Sequence, residues 1–301
     1  MAIVRAARER FEDLPGYDYD VQYANVADER ADEDLEMAYV DEPGDGEETF
    51  LCLHGEPTWS YLYRKMLPVL AERGRVVVPD LIGFGQSDKW TDQDDYTYES
   101  MYDTVERFVE RLDLTDVTLV CQDWGGLLGL PVAANNPQRF ARLVPMNTGL
   151  PDGTQGMPDV WHDFKDMAAN APDFDIGQLV DGGCLSELDD DVVDAYRAPF
   201  PDEEHMAGAR IMPSRVPIEP DMGGADVIGD ARETFGEWEK PVFVLFSDSD
   251  PITHGSRDDL RSLFPTADEQ PDEWVEGGAH FLQEDVGETV AEEIVAFVDR
   301  T

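Results

Sequence analysis

Positive charge is scarce in this chain. Its 301 residues hold 22 lysines and arginines against 67 aspartates and glutamates, and Lys65, Lys89, Lys165 and Lys240 are its only lysines. The formal net charge of −45 is spread from Glu9 to Asp299 rather than gathered in a tail. Such a surface repels phosphate, which argues against nucleic acid and anionic membranes as partners. Cysteine is scarce too. Cys52, Cys121 and Cys184 form neither an even set nor a metal-ligand spacing, and the first two sit in apolar runs as small buried hydrophobes. Long apolar runs are missing: no stretch approaches the roughly 18 residues of a membrane span. The opening "MAIVRAARERFEDL" has no apolar secretion signal. A soluble, cytoplasmic protein is the expectation.

Charge of one sign opposes compaction through self-repulsion unless salt screens it. At about 1 M salt the Debye length falls to about 3 Å. The expectation is therefore a protein adapted to molar salt. Its helical circular dichroism signal should be lost on dialysis into about 10 mM buffer, where the Debye length is about 30 Å. An unchanged spectrum there would overturn the salt adaptation.

The chain is 42% hydrophobic and 10% aromatic, enough for a large core. Eight β-type runs recur: "DVQYANV", "LEMAYVDE", "TFLCLHG", "RVVVPDL", "VTLVCQD", "RLVPMN", "VFVLFSD" and "DEWVEGG". From the third onward helical patterns mostly separate them, such as "YLYRKMLPVLAERG" and "TYESMYDTVERFVERLDL". Alternation of this kind predicts a mostly parallel sheet with helices on both faces. Between the sixth and seventh runs the strands stop. "SELDDDVVDAY", with a Ser186-x-x-Asp189 capping signal, and "ADVIGDARETFGEW" predict a helical insertion there. The expected division is a core over 1–148, a helical cap over 149–234, and the rest of the core over 235–301.

Active groups of open parallel sheets gather beyond the carboxyl ends of the strands. His54-Gly55-Glu56-Pro57 follows the third run, and Asp123-Trp124 the fifth. Asp248-x-Asp250-Pro251 follows the seventh, and Ala279-His280-Phe281 the eighth. In hydrolases the turn after the fifth run reads G-x-S-x-G, and nucleophile, acid and base follow in that order. Here "CQDWGG" has Cys121 for the first glycine and Asp123 for the serine. A carboxylate nucleophile attacks saturated carbon and leaves an ester, which water must then cleave. His280, oriented by an acid, would activate that water. The oxyanion would develop on Asp123 itself, facing the backbone N–H groups of Glu56 and Trp124. "GFGQS" at Gly83 lacks the third glycine of a dinucleotide fingerprint and reads as a turn. His162, His205 and His254 show no metal spacing and read as surface residues.

The chain is similar to haloalkane dehalogenases, in the branch known for cleaving 1,2-dichloroethane. The stretches that carry the likeness are "FLCLHGEPTWSYLYRKM", "GFGQSDK", "ERLDLTDVTLVCQDWGG", "YRAPFPD" and "GAHFLQE". The resemblance implies an α/β-hydrolase fold: an eight-stranded, mostly parallel sheet with a helical cap inserted after the sixth strand. It implies no cofactor or metal, a monomer, and conversion of a small haloalkane and water to an alcohol and a halide ion. By position Asp123 resembles the nucleophile and His280 the base. Asp250, followed by Pro251-Ile252, fits the family's acid better than Asp248, and where some branches place the acid after the sixth strand "PMNTG" has Asn147, which is no carboxylate. Trp124 resembles the first halide donor. Other branches supply the second donor from the residue that is Glu56 here, read as an anion. A cap tryptophan must then serve: Trp161, with Trp238 as fallback. Leu127, Phe164, Met212, Pro213, Val216 and Ile252 are the expected pocket wall. An epoxide hydrolase shares the Asp and His but uses two cap tyrosines, and only Tyr196 lies between 151 and 240. A binding protein without turnover would have no use for the base.

Overall fold

A computed structural model of the chain describes residues 1–31 and 33–301. All eight β-type runs lie along one twisted sheet. Its strands are β1 (Val21–Val26), β2 (Leu35–Glu42), β3 (Glu48–Leu53), β4 (Gly74–Pro79), β5 (Val117–Gln122), β6 (Phe140–Met146), β7 (Phe246–Ser247) and β8 (Trp274–Val275). Continuous pairing covers six of them, in the order β1-β2-β4-β3-β5-β6. The β1–β2 and β2–β4 pairs are antiparallel and the rest parallel. The expected eight strands are reached less regularly. The chain leading into β7 joins β6 by parallel bridges at Leu143–Val242 and Met146–Leu245, and β8 pairs with β7 in parallel. Pro145 explains part of this, since it has no N–H to extend the ladder.

The central strands are buried on both faces, as parallel strands must be when helices cover each side. One layer packs α1 (Leu67–Ala71) against α10 (Leu282–Arg300), the last helix, which follows α9 (Arg257–Leu263). The other packs α2 (Tyr98–Arg111) and α8 (Ala225–Phe235) on α3 (Trp124–Asn135). Thr97 and Ser100 cap α2 reciprocally, satisfying two amides that its first turn leaves free. The helix expected over "YLYRKMLPVLAERG" is split into a 3-10 turn at Ser60–Tyr63 and α1, with Pro68 in the first turn of α1.

Between β6 and β7 the described residues hold no strand. They form α4 (Asp159–Asn170), α5 (Ile176–Gly182), α6 (Asp190–Arg197) and α7 (Ala207–Ile211), followed by α8. Asp189, not Ser186, is the N-cap residue of α6, and its side chain makes no capping bond. Ser186 instead donates its hydroxyl to Asp285. Behind this block runs a buried ionic cluster. Arg64 and Tyr196 both bond the Glu284 carboxylate, and Lys65 reaches the Glu284 carbonyl. Glu284 opens α10 and Tyr196 lies on α6, so the cluster fastens the helical block to the core. No helix among the described residues is long and apolar enough to cross a membrane.

Candidate active site

Sheet register assembles the site. Leu53 pairs with Cys121, so the loops leaving β3 and β5 emerge side by side. Ser247 pairs with Val275, which does the same for the loops carrying Asp250 and His280. Asp123 sits at the strand-to-helix turn with φ of 51° and ψ of −124°, a sparsely populated conformation that costs an L-residue about 1–3 kcal/mol. The turn is bonded from both sides. Asp123 N–H donates to Asn147 O at 3.1 Å, and Thr148 Oγ1 donates to Asp123 O at 2.7 Å. Gly55 must be glycine because a Cβ there would lie 2.4 Å from Asp123 Oδ1. Gly125 must be glycine too, since a Cβ would lie 2.1 Å from Leu53 O. Cys121 is fully buried and its thiol meets only Val144 O, so a small side chain fits where the pattern has glycine.

The three charged groups meet as their order in the chain implied. Glu56 N–H donates to Asp123 Oδ1 at 2.9 Å. His280 Nε2 lies 3.6 Å from Asp123 Oδ2, and His280 Nδ1 lies 3.2 Å from both oxygens of Asp250. Asp248 is exposed and far from this contact, bonding Gly277 N–H instead. Burial alone would raise the Asp250 carboxyl. His280, Thr253 and the Ile252 N–H outweigh it and hold Asp250 below the usual carboxylate range. Burial alone would strip the proton from His280; Asp250 and Asp123 outweigh it and push the imidazole up to about 10.

Beyond these groups lies a cavity of about 1060 Å³ reaching under the helical block. Asp123, Trp124, Trp161 and His280 line it, as do Leu127, Phe164, Pro213, Val216 and Ile252. Met212 does not. It is fully buried in the 3-10 turn Met212–Arg215, which packs on α4 and α7, so Met212 joins the hydrophobic core while Pro213 lines the cavity. Neither Trp124 nor Trp161 donates its indole N–H to any described protein group, and both are almost buried. Trp238 is elsewhere, beside Pro137 and Lys240. Tyr196 bonds Glu284 outside the cavity, and no described tyrosine lines it. The surface reading of His205 is corrected: it is buried, with Nδ1 2.7 Å from Asp202.

Glu56 also departs from expectation. Its side chain is 4% exposed, lines the cavity, and leaves Oε1 without a partner. Burial, then the neighbouring Asp123, raises its pKa well above the usual range, so the carboxyl is held neutral. Charge in the sequence does not reveal this. In the sequence His54 is only the residue after a strand. It is buried and neutral, pushed down to about 4 by burial, and accepts Leu81 N–H at 2.9 Å while its Nδ1 meets Gly55 O. It thereby anchors the loop that presents Glu56 N–H.

Comparison with known proteins identifies the family. Residues 48–209 match the family model of the alpha/beta hydrolase fold. A haloalkane dehalogenase of Psychrobacter cryohalolentis is 42% identical over 299 residues, covering 99% of this chain and 98% of its own. The chain belongs to the haloalkane dehalogenase family. Haloalkane dehalogenase 1 of Mycobacterium tuberculosis is 42% identical over 302 residues, covering all of both chains. A haloalkane dehalogenase of Paraglaciecola agarilytica, whose structure is described as tetrameric, superposes with a TM-score of 0.90. It is 34% identical and covers 98% of each chain.

Proposed function

We propose that the chain hydrolyses small haloalkanes to an alcohol and a halide through an alkyl ester on Asp123. The observation that carries this reading is a carboxylate at the elbow, bonded by Glu56 N–H and facing His280 at 3.6 Å. In the first step Asp123 Oδ2 displaces the halide from saturated carbon, and His280 takes no part. In the second, water attacks the carbonyl carbon of the ester and gives a proton to His280, which Asp250 orients. The alcohol leaves, the carboxylate returns, and the proton passes to solvent. Glu56 N–H meets the oxyanion, with Trp124 N–H as second donor. No cofactor enters this scheme.

Three features support an apolar halogenated substrate. The wall is mainly apolar, which keeps the ester from bulk water. Three of the four exposed large apolar side chains, Val160, Met167 and Leu185, ring its mouth on a protein otherwise covered in acid. Trp124 and Trp161 hold donor-only N–H groups free inside it, suited to a leaving halide. Trp161→Phe should therefore weaken bromide quenching of tryptophan fluorescence severalfold. Unchanged quenching would remove Trp161 from the halide site. With no described tyrosine in the cavity, epoxide opening lacks its usual acid. Apolar exposure is sparse away from the mouth, which supports a monomer; light scattering in molar salt tests it.

The test of the activity is bromide release from 1,2-dibromoethane and 1-bromobutane in molar potassium sulfate. Release that depends on Asp123 is the expected result. No release from folded protein, with turnover of styrene oxide instead, would replace this reading by epoxide hydrolysis.

A further inference from the structure

Gln122 ends β5, one residue before Asp123, and is fully buried. Its amide nitrogen lies 3.3 Å from the His280 carbonyl oxygen and 3.3 Å from His280 Nε2. Its oxygen has no partner. The carbonyl of His280 decides which end of the amide faces the imidazole, because the alternative sets oxygen against oxygen. An amide NH₂ only donates. To receive it Nε2 must carry a lone pair, which puts the ring's single proton on Nδ1, facing Asp250; in the resting site Asp123, 3.6 Å from Nε2, opposes this and favours the cation. A base that takes a proton from water needs this tautomer. An imidazolium would set N–H against N–H at the same contact.

Three titratable groups face the imidazole. Asp250 lies against Nδ1, Asp123 lies near Nε2, and Glu56 acts on it through space. The two aspartates favour the cation and Gln122 the neutral ring. Esterification of Asp123 removes one of the two anions, which leaves the amide opposed by Asp250 alone. We propose that Gln122 is a positioning residue that holds His280 neutral, with Nε2 as acceptor, while the Asp123 ester is hydrolysed. The proposal rests on the function given above. One hydrogen bond to the neutral form lowers the apparent pKa of the base by about half a unit to one unit.

The test compares Gln122→Met, which keeps the volume and removes the donor, with Gln122→Glu, whose oxygens accept from Nε2. Each is reacted with 1-bromobutane in molar potassium sulfate. Decay of the butyl ester is then followed across pH by quenching and mass spectrometry. The acid limb of ester decay should move up by about half a unit to one unit in Gln122→Met, and further in Gln122→Glu. Folding is checked by circular dichroism, and either folded variant suffices. A folded variant with uniformly slower decay and an unmoved limb overturns the proposal, since loss of packing alone does that. If the wild-type chain forms no ester at all, the proposed function fails first.

Discussion

Bromide release should vanish when Asp123 is replaced by alanine, with a loss on the order of 10⁴-fold or more. The size of the effect follows from how singular this carboxylate is. It alone stands at the elbow, bonded by Glu56 N–H and 3.6 Å from the base. The other carboxylates on the cavity lining serve different ends. Glu56 is held neutral by burial and by Asp123, and a neutral carboxyl does not displace halide. Asp163, Asp173, Asp175 and Asp259 are surface or half-exposed residues, with no histidine beside them in the described contacts, and Asp175 is paired with Arg197. Cys184 also lines the cavity, but burial followed by nearby carboxylates raises its thiol, so little thiolate is present to substitute. The alanine chain must also tolerate a φ of 51°, so its melting temperature is measured beside its activity. Bromide release at the wild-type rate from folded Asp123→Ala would end the ester mechanism.

His280→Ala should produce the opposite chemical phenotype: one equivalent of bromide is released and the protein gains one alkyl group. Displacement needs only the Asp123 anion, whereas cleavage needs a base beside the ester carbonyl. Electrostatics make the order of events self-timed. In the resting site Asp250 and Asp123 overcome burial and push the imidazole up to about 10, so it carries a proton and pairs with the nucleophile. Ester formation removes the charge on Asp123, one of the two anions that favour the cation. The imidazole pKa then falls and the base becomes available when it is required. Ester hydrolysis should therefore speed up as pH rises through that lowered pKa. Mass spectrometry of His280→Ala after exposure to 1-bromobutane decides the point. Sustained turnover, or an unmodified protein, would reject a two-step path.

Much of this site was legible because strands end where chemistry begins. The eight apolar runs fixed which loops share one edge of the sheet, and "CQDWGG" with the later Asp250 and His280 supplied the reacting groups. Resemblance to the family, not the strand pattern, separated Asp250 from Asp248, one buried against the imidazole and the other in solvent. What escaped was whatever depends on three-dimensional burial. An isolated Glu56 reads as an anion; only its enclosure beside Asp123 makes it neutral. Met212 has the right chemistry for a pocket wall, but the 3-10 turn points it away. Ser186 looked like a cap because the local pattern fitted, while Asp285, far along the chain, took its hydroxyl. Gln122 has no signal at all, since nothing local reveals that the amide meets His280.

The cluster of Arg64, Tyr196 and Glu284 has a consequence for traffic. Lifting α6 from the core would break the Tyr196 hydrogen bond to the buried Glu284 carboxylate, at a cost of about 1.5–3 kcal/mol, while the Arg64–Glu284 pair stayed whole. On that bond alone the open form would be a minor species, of order one molecule in ten to one in a hundred. The same carboxylate lies one turn beyond His280, so swinging that edge outward would also tug on the base. Of the helical block, α6 therefore acts as the fixed jamb. The other side of the mouth is held less evenly: the Leu185 N–H is bonded by the Asp285 carboxylate, whereas Val160 and Met167 on α4 present only apolar side chains. Passage on the α4 side would leave the geometry of Asp123, His280 and Asp250 undisturbed.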